Sequence, residues 1–174
     1  MSITTEIAVN DSLWQQHENV INQDFFNKVI VHIITKYPHI QKKNSIELSV
    51  LLTNNEEIRA LNKEFRNKNK PTNVLSFPEY EDKLYDLEDA EENIFLGDIA
   101  FALEKIEQEA EENSVNFIDH FTHLTIHAIL HLLGHDHMND HDAELMESLE
   151  IEILEQYNIK SPYTHNYALE TKKA

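Results

Sequence analysis

The residues best suited to chemistry are histidines in the segment HAILHLLGHDH, His127 to His137. His127 and His131 are four residues apart in an apolar run, so a helix would place both imidazoles on one face, one turn apart. Gly134 follows, and glycine readily ends a helix because it adopts left-handed backbone conformations. His137 comes after this break and can return toward the first two imidazoles. Three neutral imidazoles with one open position describe a catalytic zinc site better than a structural one.

A straight helix could not supply the third ligand. Positions eight residues apart on a helix are separated by about 12 Å, whereas zinc–imidazole bonds measure about 2 Å. One ion can therefore bridge only two adjacent members of the histidine ladder, which comprises His123, His127, His131 and His135. Because His135 directly follows the glycine, it has little chain with which to fold back, and we expect His137 as the third ligand. His120, His123 and His141 are expected to be ordinary histidines without a metal.

The same spacing of histidines and glycine occurs in metzincin metalloproteases, which carry a glutamate directly after the first histidine as the general base. Ala128 holds that place here, and a methyl group accepts no proton. The segment therefore predicts a hydrolase metal site with chemistry other than metzincin proteolysis. A protease remains an alternative only if another acidic residue replaces the missing base.

Composition limits the ligands and the partners. The 174 residues include no cysteine, so any metal must be held by His, Asp or Glu. The net charge of −18, from 14 basic and 32 acidic residues, argues against a polyanionic partner, since nucleic-acid binders usually have a basic surface. One local basic group, which could line a basic cleft on an acidic body, stands apart from the acidic stretches at 79–92 and 104–112: Lys63, Arg66, Lys68 and Lys70.

The segment MSITTEIAVNDSLW lacks the basic and apolar regions of a signal peptide. No apolar run approaches the roughly 18 residues that a membrane span requires. These observations predict a cytoplasmic protein with no membrane partner.

Hydrophobic patterns predict a fold of strands and helices in one chain. Four strands are expected, the first of them at a sheet edge: Ile3–Val9, Ser45–Leu52, Val74–Phe77 and Ile94–Ala102. Gly97 inside the last strand indicates a bulge or a close approach of backbone or ligand. Five helices are expected, at Asp24–Lys36, after a capping box formed by Thr53 and Glu56, and at Glu104–Glu112, Asn116–Leu133 and Asp142–Tyr157.

The predicted fold class is α+β, with a mixed sheet of about four strands packed by about five helices. The histidines then lie on a zincin-like helix. Residues 1–157 are expected to form a single catalytic domain and residues 158–174 a loosely ordered tail. The acidic stretch 79–93, which has no apolar periodicity, is expected to be an exposed loop.

Three sequence blocks together resemble the YbeY family, bacterial metal-dependent endoribonucleases of ribosomal RNA maturation. The blocks are LNKEFRNKNKPTNVLSFP (Leu61–Pro78), LGDIAFALEKIEQEAEE (Leu96–Glu112) and HLTIHAILHLLGHDH (His123–His137). Their order and spacing are similar to those of the family, and the resemblance covers roughly Ile46 to Leu154. The third block is the most specific of the three.

The resemblance implies His127, His131 and His137 as zinc ligands and Arg66 as a catalytic or RNA-binding arginine. This chain departs from the family pattern at two positions. Ala128 stands where the family usually has glycine, and alanine is favoured in a helix. Asn73 stands where the family usually has aspartate, and the lost charge could weaken a polar contact near the site.

The implied activity is zinc-dependent, single-strand-specific cleavage of RNA in ribosomal RNA processing and ribosome maturation. One Zn2+ per chain is expected, although three imidazoles also accept other divalent metals. Candidate partners are ribosomal RNA and the ribosomal subunit or its proteins, and no DNA is expected. Arg66 would stabilise charge on the phosphate. The nucleophile and the general base stay open: Asp136 could be the base or orient a ligand histidine, and Asp98 could shape the cleft.

Other functions compete with this one. The first is a ribosome-associated assembly factor with a structural metal and little nuclease activity, which the net charge favours because it suits protein partners. The second is a metallohydrolase of another substrate class. The third is metal storage or sensing by the histidine ladder, which predicts several ions per chain.

Overall fold

The computed structural model describes residues 1–86 and 91–163. Its strands are β1 (Ser2–Val9), β2 (Ser45–Thr53), β3 (Val74–Pro78) and β4 (Asn93–Ala102). Its helices are α1 (Gln23–Ile34), α2 (Pro38–Gln41), α3 (Asn55–Arg66), α4 (Leu103–Glu112), α5 (Phe117–Leu132) and α6 (Asp140–Glu155), with 3-10 turns at Ser12–His17 and Leu84–Asp86. Within the described residues, the α+β class, the four strands and the five longer helices are confirmed.

The sheet is mixed, as the sequence predicts. The strand order is β1-β2-β4-β3. Strand β2 runs parallel to both β1 and β4, whereas β3 runs antiparallel to β4. Strands β1 and β3 therefore form the two edges among the described residues, and the predicted edge position of the first strand is confirmed.

The two faces of the sheet are covered unequally. One face carries the main core, where α1 and α5 pack through the fully buried Phe26, Phe101 and Phe121. The rings of Phe101 and Phe121 lie 4.6 Å apart. The other face carries a small cluster under α3 that includes Ile58 and Leu75. Helix α5, which bears the histidines, is thus held by the larger core, while the α3 face leaves part of the sheet open.

A bulge interrupts β4 at the glycine that the sequence singles out. Glu47 pairs with Phe95 and Ser49 pairs with Asp98, so β4 holds one residue more than β2 across this step. Gly97 has φ +134°, and a Cβ at this position would lie 2.2 Å from the carbonyl oxygen of Phe77. Both predicted features, the bulge and the close backbone approach, are therefore confirmed.

The predicted capping box is wrong. Thr53 is the last residue of β2, paired with Ala102, and its carbonyl oxygen accepts a hydrogen bond from the indole of Trp14 at 2.8 Å. Asn54 is the residue that caps α3, accepting from the backbone N–H of Glu57 at 2.9 Å. The cap is shifted by one residue because the backbone of Thr53 is already committed to the sheet.

The prediction of an exposed loop over residues 79–93 is wrong for its middle part. Leu84 is fully buried. The backbone N–H of Tyr85 donates to the carbonyl of Leu133 at 3.3 Å, which ties this segment to the end of α5. Leu84 and Tyr85 hold this segment against the fold. Two adjacent residues produce no apolar periodicity in the sequence, so the pattern did not predict their contacts. Residues 87–90 lie outside the described residues.

The other predicted elements begin and end within two residues of the observed ones. Among the helices of residues 1–86 and 91–163, none combines the length and the apolar character that crossing a bilayer would demand.

Asn73 immediately precedes β3 and ties it to α4. Its side-chain amide donates to Glu109 Oε1 at 2.9 Å, and its side-chain oxygen accepts from the N–H of Val74 at 2.7 Å. His120 Nε2 lies 3.0 Å from the same carboxylate. Burial would raise the pKa of Glu109, but the hydrogen bonds from His120 and Asn73 outweigh it and lower that pKa. Asparagine thus makes a contact here that a second carboxylate could not.

We expect the Asn73→Asp substitution to lower the free energy of unfolding by about 1–3 kcal/mol, because it removes a donor from the half-buried Glu109 carboxylate and adds a like charge. Urea unfolding at pH 7 measures this loss. Adding Glu109→Gln to the same chain should recover part of the stability, since a glutamine amide can donate to the new aspartate. Equal stability of Asn73→Asp and the original protein would contradict this account of the contact.

Candidate metal centre

Helix α5 begins and ends on local signals. Asn116 caps its start, with the side-chain oxygen accepting from the N–H of Asp119 at 2.8 Å. After Leu132 the backbone N–H of Gly134 donates to the carbonyl of His131 at 2.9 Å. Gly134 has φ +105°, and a Cβ on it would lie 2.6 Å from the Cα of Lys83. The predicted break at Gly134 is confirmed, and it needs glycine for both conformation and space.

The break brings three imidazoles together. His127, His131 and His137 each offer one ring nitrogen, and these atoms lie within 4.8 Å of one another. The Nε2 atoms of His127 and His131 are 3.1 Å apart. Two imidazole nitrogens on one tetrahedral zinc ion are separated by about 3.4 Å. The three ring nitrogens therefore fit a single ion after small side-chain movements. Among the described residues, this is the group of His, Asp or Glu side chains that could hold a metal ion.

The electrostatics keep lone pairs available in the cluster. Burial, together with the neighbouring charges of His127 and His137, lowers the pKa of His131 to about 4. His131 is therefore neutral near pH 7, as a metal ligand must be. His137 is exposed, whereas His127 and His131 are half-buried. The cluster consequently opens to solvent on the His137 side, where a substrate could approach.

His135, the other candidate for the third position, points away from the cluster. Its side chain is buried, its Nε2 lies 2.6 Å from the hydroxyl of Tyr37, and its ring stacks on Tyr85 at 4.1 Å. Burial is the main cause that lowers its pKa to about 4. The structure therefore brings His137, and not His135, to the other two histidines, because the ring of His135 is held between Tyr37 and Tyr85.

Sequence reasoning missed Glu150. This residue of α6 is fully buried, its carboxylate accepts a hydrogen bond from His127 Nδ1, and it lies 3.1 Å from His123 Nε2. The hydroxyl of Tyr163 also donates to it, so the chain is packed in at least one place beyond the predicted end of the domain; residues 164–174 lie outside the described residues. The sequence did contain a signal, because at helical spacing Glu150 shares a face with three apolar residues, all of which the structure shows to be buried: Met146, Ile153 and Leu154.

Glu150 determines which nitrogen of His127 faces the cluster. Burial alone would raise the pKa of this carboxyl, but hydrogen bonds from His123 and His127 lower it to about 2. A charged carboxylate can only accept, so the proton of His127 resides on Nδ1 and the lone pair on Nε2 points toward His131. The imidazole of His123 is therefore a hydrogen-bond partner of Glu150 and not a member of the cluster. Asp136, considered for the same role, accepts from the backbone N–H of Met138 at 3.3 Å.

Arg66 is the last residue of α3, and its side chain lies against the edge strand β3. Its Nη2 donates to the carbonyl oxygen of Ser76 at 2.6 Å, and its guanidinium lies 5.3 Å from the ring centroid of Phe77. Strand β3 in turn packs against α5. Arg66 therefore lies against the edge strand β3, whereas the three imidazoles belong to α5 and the turn after it, on the other face of the sheet. Asp98 is exposed on β4 and lines a groove on the α3 face.

A family model described as Endoribonuclease YbeY matches residues 12–158. The chain belongs to this family. It is 43% identical over 156 residues to the Endoribonuclease YbeY of Francisella tularensis subsp. novicida (strain U112), a match that covers 89% of this chain and 93% of the relative. The membership that the three sequence blocks predict is confirmed, and with it the class of enzyme, an endoribonuclease.

The fold has a solved counterpart. The solution structure of TM1509 from Thermotoga maritima is similar over 88% of this chain and 91% of that one, with a TM-score of 0.53 and 24% sequence identity. At this identity the likeness concerns the fold alone, and it supports the α+β architecture described above.

We expect the Gly134→Ala substitution to lower the free energy of unfolding by about 1–3 kcal/mol, the usual range for a strained backbone conformation. It should also weaken metal binding, because the turn places His137. Urea unfolding and a zinc titration against a competing chelator measure the two effects. Ala60→Gly, in the exposed middle of α3, is the control, since it should cost about 1 kcal/mol through helix propensity and leave metal binding unchanged. Unchanged zinc affinity in Gly134→Ala would refute the placement role.

We expect Glu150→Gln to weaken metal binding by about 10- to 100-fold, the usual effect of removing a partner that orients a ligand. Glutamine keeps the size of the side chain but loses the charge that holds the proton on His127 Nδ1. The same chelator competition measures it. The neighbouring Glu152→Gln, on a residue paired with Lys36 at the surface, should bind the metal like the original chain. Equal affinities in the two variants would mean that Glu150 does not orient the cluster.

Proposed function

We propose that this protein cleaves single-stranded RNA with the aid of a metal ion, and that ribosomal RNA is its substrate. The observation that supports the metal site is the cluster of three imidazoles, open to solvent, in a chain of the Endoribonuclease YbeY family. Neutral imidazoles with an accessible position suit zinc, and other divalent metals accept the same ligands.

In this proposal His127, His131 and His137 hold the ion. When bound, it would supply positive charge that polarises a phosphate oxygen. The protein's own contribution is to hold the three imidazoles in the orientation and protonation state that a metal ion requires. Glu150 orients His127, burial keeps His131 neutral, and the exposed His137 leaves one side of the cluster open. These roles follow from contacts that hold each ring in place before any substrate arrives.

We assign phosphate binding to Arg66. A guanidinium presents five N–H donors in a planar fork that matches the oxygens of a phosphate. One nitrogen of Arg66 donates to Ser76, and the side chain is otherwise exposed. Because Ser76 belongs to the edge strand that packs against α5, a phosphate bound by Arg66 would lie at the edge of the sheet that separates α3 from the histidine helix. Arg66 would then stabilise the charge that develops on the phosphate.

The distribution of charge supports an RNA substrate despite the net charge of −18. The side chains of Lys63, Arg66, Lys68 and Lys70 are all exposed on α3 and the loop after it. The buried Asn62 holds this loop by donating to the carbonyl of Lys70 at 2.9 Å. Binding to the ribosomal subunit or its proteins, and a cytoplasmic location, stay predictions from the sequence.

The test compares the metal-loaded protein with His131→Ala and Arg66→Ala on a structured ribosomal RNA fragment. We expect cleavage by the original chain, no detectable cleavage by His131→Ala, and a loss of about 10²- to 10³-fold for Arg66→Ala, the usual effect of removing one donor to developing charge. Arg59→Ala is the matched control, because Arg59 is an exposed arginine of the same helix that donates to Asn69. Circular dichroism verifies that each variant is folded.

Three results would contradict the proposal. Equal cleavage by all variants would identify a contaminant. Equal losses in Arg59→Ala and Arg66→Ala would reduce Arg66 to one basic charge among several. If the original chain does not cleave RNA and unfolds when the metal is removed, the metal is structural and the protein is better described as an assembly factor.

A further inference from the structure

The sheet face under α3 contains an open groove of about 340 Å³. Its floor is formed by small and apolar side chains of β2 and β4, including Leu51 and Ala100. Phe65 from α3 and Phe77 from β3 flank it, and Ser49 and Asp98 provide its polar groups. The groove is separate from the histidine cluster, because α5 packs on the opposite face of the sheet.

The aromatic wall is unusual for its exposure. Phe65 is 58% exposed, although its ring meets Phe77 edge-to-face at 5.4 Å. The guanidinium of Arg66 covers Phe77 at 5.3 Å. A large apolar ring left in water gains free energy when a flat ligand covers it. This wall therefore suits a planar, aromatic ligand.

The polar groups of the groove restrict the chemistry of that ligand further. Ser49 and Asp98 are paired neighbours on β2 and β4. Within the described residues the Asp98 carboxylate accepts no hydrogen bond from the protein. Since an ionised carboxylate is an acceptor only, a ligand that satisfies it must bring N–H or O–H donors.

The rim adds the third requirement, which is negative charge. Arg66 lies beside the groove through its contact with Phe77, Lys63 is in the same last turn of α3, and Lys68 and Lys70 follow in the next loop. On a chain with net charge −18, this is a local basic surface. A planar ring that carries N–H donors and is attached to a polyanion is an unpaired nucleobase of an RNA strand.

We propose that the groove binds one unpaired base of the RNA substrate and that Asp98 selects for guanine. The proposal rests on the proposed function. Guanine presents two adjacent donors, N1–H and N2–H, to a single carboxylate, whereas uracil presents one N–H between two carbonyl oxygens that a carboxylate repels. Phe65 supplies the stacking surface, as aromatic side chains do in proteins that bind single strands.

Strand β3 connects this subsite to the metal centre. Phe77 and Leu75 lie on its groove side. Val74 packs into the core that holds α5, and Arg66 contacts the strand at Ser76. An RNA strand that places a base in the groove must cross this edge strand to reach the histidines. The groove would thereby select a nucleotide of the same strand that the histidine cluster cleaves.

The test uses the full-length, metal-loaded protein and fluorescently labelled uridine oligoribonucleotides with guanosine, inosine or uridine at one position. Fluorescence anisotropy at 4 °C, over times too short for cleavage, gives each Kd. Guanosine should bind most tightly and uridine least, with inosine between them because it lacks the N2 amino group. Phe65→Ala should weaken guanosine binding by at least about fivefold, the lower limit for one stacked base, and Phe65→Tyr should restore it.

Asp98→Asn should abolish most of the preference for guanosine over uridine and leave uridine binding unchanged. Leu13→Ala, which removes another side chain that is 60% exposed, and Asp24→Asn, on an exposed acid of α1, are the matched controls and should behave like the original chain. All variants should bind the same amount of metal, because none of these residues contacts the histidine cluster.

The outcomes distinguish a failure of the base-binding groove from a failure of the proposed endoribonuclease function. If the original chain binds and cleaves RNA but Phe65→Ala and Asp98→Asn match it in affinity and base preference, the base subsite is refuted and the groove is left to a protein partner. If the original chain neither binds nor cleaves any RNA, the proposed function itself fails, whatever the groove variants do.

Discussion

The buried carboxylate of Glu150 is the constraint on which the candidate site depends. A charged group without access to water is costly unless donors surround it, and here His123, His127 and Tyr163 do so. Each of these donors is thereby held in one orientation. The imidazole of His127 is the one whose orientation matters chemically, because its other nitrogen faces His131. The same hydrogen bonds that make the burial of Glu150 tolerable therefore also preorganise the cluster.

A second constraint acts where α5 ends. Gly134 turns the chain against Lys83, and His135 enters the space between Tyr37 and Tyr85. The segment at Leu84–Asp86 thus serves as a wall that fixes the direction in which the chain leaves the helix. His137 reaches the other imidazoles because its neighbour two residues earlier is packed inward. A stretch with the composition of a solvated loop consequently contributes to the geometry of the centre.

The edge strand β3 links the two faces of the fold. The bulge at Gly97 lets its backbone approach β4 closely, and Asn73 ties its start to Glu109 of α4. Its alternating side chains then serve two surfaces, with Val74 in the main core and Phe77 in the groove under α3. Arg66 lies across this strand. A substrate that contacts the arginine, the groove and the histidines would therefore be organised by one short segment of backbone.

The grouping of His127, His131 and His137 follows from the sequence by itself, because helix geometry sets the spacing of the first two residues and a glycine determines where the third can return. Family membership and the α+β class could also be predicted, since motifs and apolar periodicity are local properties. Glu150 is 23 residues from His127, and the groove joins residues of β2, β3, β4 and α3. Only the tertiary structure could decide these contacts, because they depend on which faces of distant elements meet when the apolar surfaces pack.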